Sequence, residues 1–123
     1  MNENELMVPS EVLATVEAKS KELIAQHKLK RVIPIIVAGN EEIGEKPYYV
    51  AYMKSPDMKA FSKFMMTNSA NSIIAQQNLA KDCFVDGDKE LLTDDDLFLM
   101  GLIPQLSILI EARSAKVVNL SKA

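Results

Sequence analysis

The sequence predicts a single α+β domain over residues 1–123. An N-terminal helix (1–28) and a two-stranded antiparallel hairpin (31–54) pack on a mainly helical part (55–120). Three observations predict it. A chain of 123 residues has the length of one domain. Apolar residues recur at helical spacing before residue 28 and after residue 55. Between these stretches, two β-branched or aromatic runs flank a polar loop with two glycines.

The first helix is the clearest periodic segment. Val12, Leu13, Val16, Ser20, Leu23, Ile24 and His27 fall on one stripe, with Glu11, Lys19, Lys21, Glu22 and Lys28 opposite. Ser10 is the expected N-cap. Arg31 to Ala38 reads as a strand whose Pro34 cannot donate to a ladder, which predicts an edge or a bulge. Pro47 to Met53 reads as its partner, with Tyr48, Val50 and Tyr52 on one face and Tyr49, Ala51 and Met53 on the other.

The next helix has a well-marked start: Ser55 as cap, Pro56 at the first helical position, Asp57 in the first turn. Met58, Phe61 and Met65 form its expected buried line. Thr67 to Ser72 is rich in Asn and Ser, which predicts a break before helix resumes through Ile73, Ile74 and Leu79 to Cys83. Phe84 to Leu92 reads as a loop around Asp86-Gly87-Asp88. Thr93, with Asp96 three residues on, has the pattern of a capping box, flanked by Leu92 and Leu97 as a staple. Leu97 to Ile110 is apolar on more than one face, as in a helix surrounded by protein, and Pro104 should kink or restart it.

Composition removes several function classes. With 14 basic and 17 acidic residues the net charge is −3, which offers no general attraction to nucleic acid or anionic lipid. The one basic cluster, Lys28-Leu29-Lys30-Arg31, reads as a solvated junction. Leu97 to Ile110 is too short and too interrupted to span a membrane, and residues 1–9 lack the pattern of a signal peptide. One cysteine forms no intrachain disulfide and no multi-thiolate zinc site, and one histidine leaves no His pair for a metal. The lone Cys83 suits a reducing compartment.

Asp82 to Asp96 holds seven acids and one lysine, but not at the spacing of a calcium loop. The four glycines are scattered, so no phosphate loop is present. Cys83 and His27 are the one Cys–His pair available, and Cys83 reads as a small core residue beside Leu79 and Phe84. These readings predict no cofactor, no metal and no catalytic residues. A small hydrolase using paired carboxylates stays open, because chain spacing does not fix carboxylate separation.

Met58, Met65 and Met66 lie beside Phe61 and Phe64 on one helix, covering more than one face. Core filling is one reading. The other is an adaptable binding surface, because Met side chains re-pack around varied apolar partners. Phe61, Phe64, Met65 and Met66 are therefore the candidate partner-binding residues. Phe61 is expected inside and Phe64 toward the partner.

Four features occur in a particular order: Tyr49 and Tyr52; Lys54-Ser55-Pro56; Cys83-Phe84-Val85-Asp86-Gly87-Asp88; and Thr93-Asp94-Asp95-Asp96-Leu97-Phe98. In that order, Tyr48 to Leu120 resembles the small phage and prophage proteins called tail assembly chaperones. The chain departs from their pattern in its longer N-terminal helix and in Pro104. The resemblance implies a non-enzymatic virion-assembly factor in the cytoplasm of the bacterial host. It would bind apolar helices of a tape-measure protein, with the acidic loop keeping the complex soluble. A structural virion component, such as a connector or ring subunit, is the alternative. The implied partner is a virion protein, with a second copy of the chain (a homo-oligomer) as a further possibility.

Overall fold

The computed structural model describes residues 6–120. Helix α1 (Ser10–His27) precedes strand β1 (Ile33–Ala38), and a 3-10 turn (Glu41–Ile43) leads into β2 (Tyr48–Met53). Helices α2 (Met58–Asn68) and α3 (Ser72–Cys83) follow, then β3 (Phe84–Gly87) and the short helix α4 (Glu90–Thr93). The last helix changes type along its length, π-helical over Leu97–Leu102 and 3-10 over Ile103–Ile110.

The α+β class is as expected, but the sheet has three strands, ordered β1-β2-β3 and antiparallel throughout. The alternation in β2 sets up two cores. Tyr49, Ala51 and Met53 face α2, α3 and the last helix, packing with Phe64, Leu79, Leu102 and Leu106. Tyr52 and Val50 face the other way, onto Val16 and Leu23 of α1. The sheet is thus a middle layer with helices on both faces.

Pro34 lies on the edge strand, as its missing amide requires. The Gly39 amide donates to the Pro47 carbonyl at 3.0 Å. With Ile33 opposite Met53 and Ala38 opposite Tyr48, this bond fixes the parity of the ladder. Ile33, Ile35 and Val37 aim their main-chain groups at β2. Pro34, Ile36 and Ala38 aim theirs outward, so Pro34 removes no ladder bond.

The loop expected over Phe84 to Leu92 contains β3 instead. The register slips between Tyr52 and Met53, where Phe84 rather than Val85 stands opposite Met53. The strand ends at Gly87, and Asp88 completes the pairing. Its amide donates to the Val50 carbonyl, and its carboxylate accepts from the Val50 amide, both at 2.8 Å. Four residues without alternating hydrophobicity give no sequence signal for such a strand.

Three expected helix starts move. Pro9 precedes α1, and its carbonyl accepts from the Val12 and Leu13 amides, so Ser10 is already helical and does not cap. At α2 the cap is Asp57, which accepts from the Ala60 amide at 2.8 Å. Ser55 is occupied elsewhere, accepting from Arg31 Nε at 3.0 Å. Before the last helix, Thr93 ends α4 and its hydroxyl donates back to the Lys89 carbonyl. Asp94 caps instead, accepting from the Leu97 amide at 3.0 Å. At the latter two starts a carboxylate takes the amide that a neighbouring hydroxyl was expected to take, as the stronger acceptor should. Asp94→Ala is therefore expected to cost about 1 kcal/mol in urea unfolding, and Thr93→Ala only a few tenths. Equal losses would return the cap to Thr93.

The break after α2 falls where expected: α2 ends at Asn68, and Asn71 caps α3 by accepting from the Ile74 amide. Pro104 also acts as expected. It has no amide and its ring crowds the carbonyl four residues back. The turn before it widens, with the Ile103 amide bonding five residues back to Phe98, and the helix then tightens to 3-10. Among the described residues, no helix is long and apolar enough to cross a membrane.

Candidate functional site: the outer face of α2 and its groove

Asp57 fixes the phase of α2, and α3 packs along it. Lys63 reaches across to Asp82 of α3, 2.8 Å away. This neighbour decides which side of α2 is inside. Ala60 and Phe64 are buried, Phe64 at 6% exposure. Met58, Phe61 and Met65, spaced three and four apart, share the opposite side. Phe61 is 40% exposed and Met65 56%, while Met66, further round, is 78% exposed.

The sequence-based assignment is therefore reversed for two residues. Phe64 is core and cannot meet a partner. Phe61, expected inside with Met58 and Met65, faces outward. Three of the four candidate residues, Phe61, Met65 and Met66, remain on the surface. A stripe read from one helix gives the phase of its apolar side chains but not the side on which α3 lies. Leu13 of α1 differs from expectation for the same reason and is exposed.

Phe61 also forms one wall of a groove of about 970 Å³. Leu29, Pro56, Leu109, Ile110 and Ala112 supply the rest of its apolar lining. Lys30, Arg31, Lys54 and Arg113 line it as cations, against Asp57 and Glu111. Of the groove's residues, sequence reasoning placed only Phe61 at a site. The Lys28-to-Arg31 cluster was the one available signal, and three of its four residues, Leu29, Lys30 and Arg31, line this groove. The combination suits an amphipathic segment with an apolar side and negative charge, not a small polar metabolite.

The acidic stretch has a structural use. Asp82 pairs with Lys63, Asp86 with Lys19 at 3.2 Å, and Asp88 with Lys46. The Gly87 amide, and then Lys19, hold the Asp86 carboxyl below its ordinary value. That contribution is present above the ordinary carboxylate range and is lost as pH falls through the lowered value. Asp88 in turn raises the Lys46 ammonium by hydrogen bonding. The turn thus ties α1 and β2 together, and three acids of the stretch, two in the turn and Asp82 in α3, are paired with lysines. Among the described residues, no three His, Cys, Asp or Glu side chains converge as metal ligands would.

Cys83 is fully buried at the end of α3. Burial pushes its thiol up to about 11, so it is protonated at neutral pH. His27 is exposed at the end of α1. Thiol labelling of the native protein with a water-soluble disulfide reagent is expected to run at least about a hundredfold slower than of the unfolded chain. Labelling at the unfolded rate would place Cys83 at the surface.

The chain matches no protein-family model, no curated protein and no solved structure.

Proposed function

We propose that this chain is a non-enzymatic phage virion-assembly factor, a tail assembly chaperone, that holds apolar helices of a tape-measure protein in the cytoplasm of the bacterial host. The observation that carries the binding role is the exposed stripe of Met58, Phe61 and Met65 on a helix whose other side is filled core. Scattered exposed apolar residues are ordinary, but three on one stripe, continued by the apolar wall of a groove that also carries cations, form a contiguous patch. An amphipathic helix laid along this stripe would bury its own apolar side against it. Phe61 stands between stripe and groove, the place for an aromatic anchor. The flexible Met58 and Met65 allow different apolar sequences to be accommodated in turn, as a chaperone of a long helical client requires. The virion-assembly part of the reading is supported by the ordered resemblance over residues 48–120.

The test is co-expression of the tagged chain with a phage tape-measure protein, followed by affinity capture. The client is expected to co-purify with the wild type. Phe61→Asp combined with Met65→Asp should lose it while the chain stays folded by circular dichroism. The chain should also be absent from finished virions. Its recovery from virions in fixed copy number would assign it to the tail structure instead.

A further inference from the structure

β1 is the outer strand of the sheet, and among the described residues no strand pairs with its outward edge, although Leu6 and Met7 line the cavity beside it. By the ladder parity, the outward donors are the Ile36 and Ala38 amides, since Pro34 has none. Neither amide has a hydrogen-bond partner among the described residues. An edge with unpaired donors and acceptors is a template for a further strand. Beside it runs a cavity of about 500 Å³, with Ile36, Leu97 and Met100 as apolar lining and Glu45 and Asp96 as its acids.

A strand to fill that edge exists in the same sequence. Residues 111–120 carry no regular structure, and every one of them is exposed. The segment ends on Val117-Val118-Asn119-Leu120, with Val117 95% exposed, and carries Arg113 and Lys116 just before it. Six residues of extended chain span about 20 Å, the length of β1.

We propose that Ala115–Leu120 of one copy adds to the free β1 edge of a second copy as an antiparallel strand, each copy giving and receiving one tail. Charge selects this occupant and this direction. The edge has a basic start, Lys30 and Arg31, and an acidic end, where Asn40 is bonded to Glu45 and Asp96 lines the cavity. An antiparallel tail from a second copy brings Arg113 and Lys116 to Glu45 and Asp96. The chain's own tail leaves the fold beside Lys30 and Arg31, lining the same groove. Folded back on its own β1 it would run parallel, with its cations against theirs. Reciprocal exchange about a two-fold axis satisfies both edges and closes the assembly as a dimer.

Sedimentation velocity over a concentration series of the full chain tests the proposal, with hydrogen exchange of the Ile36 and Ala38 amides as a direct readout. A dimer is expected in which both amides are protected, and dilution to monomer should release them. Arg113→Glu with Lys116→Glu should weaken the dimer about tenfold or more. Adding Asp96→Lys should recover most of that loss. Val117→Asp with Val118→Asp should weaken it by about a hundredfold, with the melting of the monomer unchanged. A monomer at every concentration, a dimer indifferent to the tail variants, or protection of Ile36 and Ala38 in the monomer would each overturn the proposal.

Discussion

Gly87→Ala is expected to lose about 3 kcal/mol or more of stability, a large part of what a domain of this size possesses. Two causes act together. Gly87 sits at φ 125°, a conformation that side chains rarely adopt. A Cβ there would also lie 2.2 Å from the Val50 carbonyl oxygen, inside contact distance with main chain that cannot swing away. To relieve the clash β3 must move off β2. Moving it separates Asp88 from Val50 and Asp86 from Lys19, so the damage spreads to the α1 side of the sheet. Gly44→Ala is the control. Gly44 also has positive φ, but nothing lies within 4 Å of a Cβ built there, so a loss of only about 1 kcal/mol is expected. Urea midpoints for the two variants measure the difference. Similar midpoints would mean that β3 is not held as tightly as its register requires.

Phe64→Asp is expected to unfold the protein, and Phe61→Asp to leave it folded. Phe64 packs in the larger core with Ala75 and Leu79. Truncating such a side chain to alanine costs about 3–5 kcal/mol, and an unpaired carboxylate in its place costs more. Phe61 is 40% exposed, and its replacement should change stability by about 1 kcal/mol or less. Circular dichroism melts of the two variants separate the cases. The pair also guards the functional test, since loss of client binding by Phe61→Asp is informative only in a folded chain. If Phe61→Asp melts as low as Phe64→Asp, the outer face of α2 is part of the core and offers no binding surface.

The candidate site was partly legible in sequence. The unusual content of α2, with two Phe and three Met within nine residues, marked the right helix. Its exposed members could not be separated from its buried ones, because α3 sets the boundary between them. The groove was not legible. Its walls come from the α1–β1 connection, the Lys54–Asp57 connection, Phe61 of α2 and the end of the last helix with the residues just after it, segments far apart in the chain.

What the sequence by itself determined is local. The helical stripe of α1, the restriction of Pro34 to an edge or a bulge, the break within Thr67–Ser72 and the kink or restart at Pro104 all depend on residues within a few positions of one another. There, periodicity, proline chemistry and capping preferences act without the rest of the chain. Tertiary structure alone decided the contacts between distant segments. Asp86-Gly87-Asp88 reads as a turn until β2 lies beside it, and the bond from Asp88 to Val50 spans 38 residues. Ser55 reads as a cap until Arg31 takes its hydroxyl from 24 residues away. Phe64 and Phe61 are equivalent on an isolated helix and differ only once α3 has packed on one side. In each case the deciding partner is a specific group far along the chain, and neither propensity nor spacing carries information about where that group will come to rest.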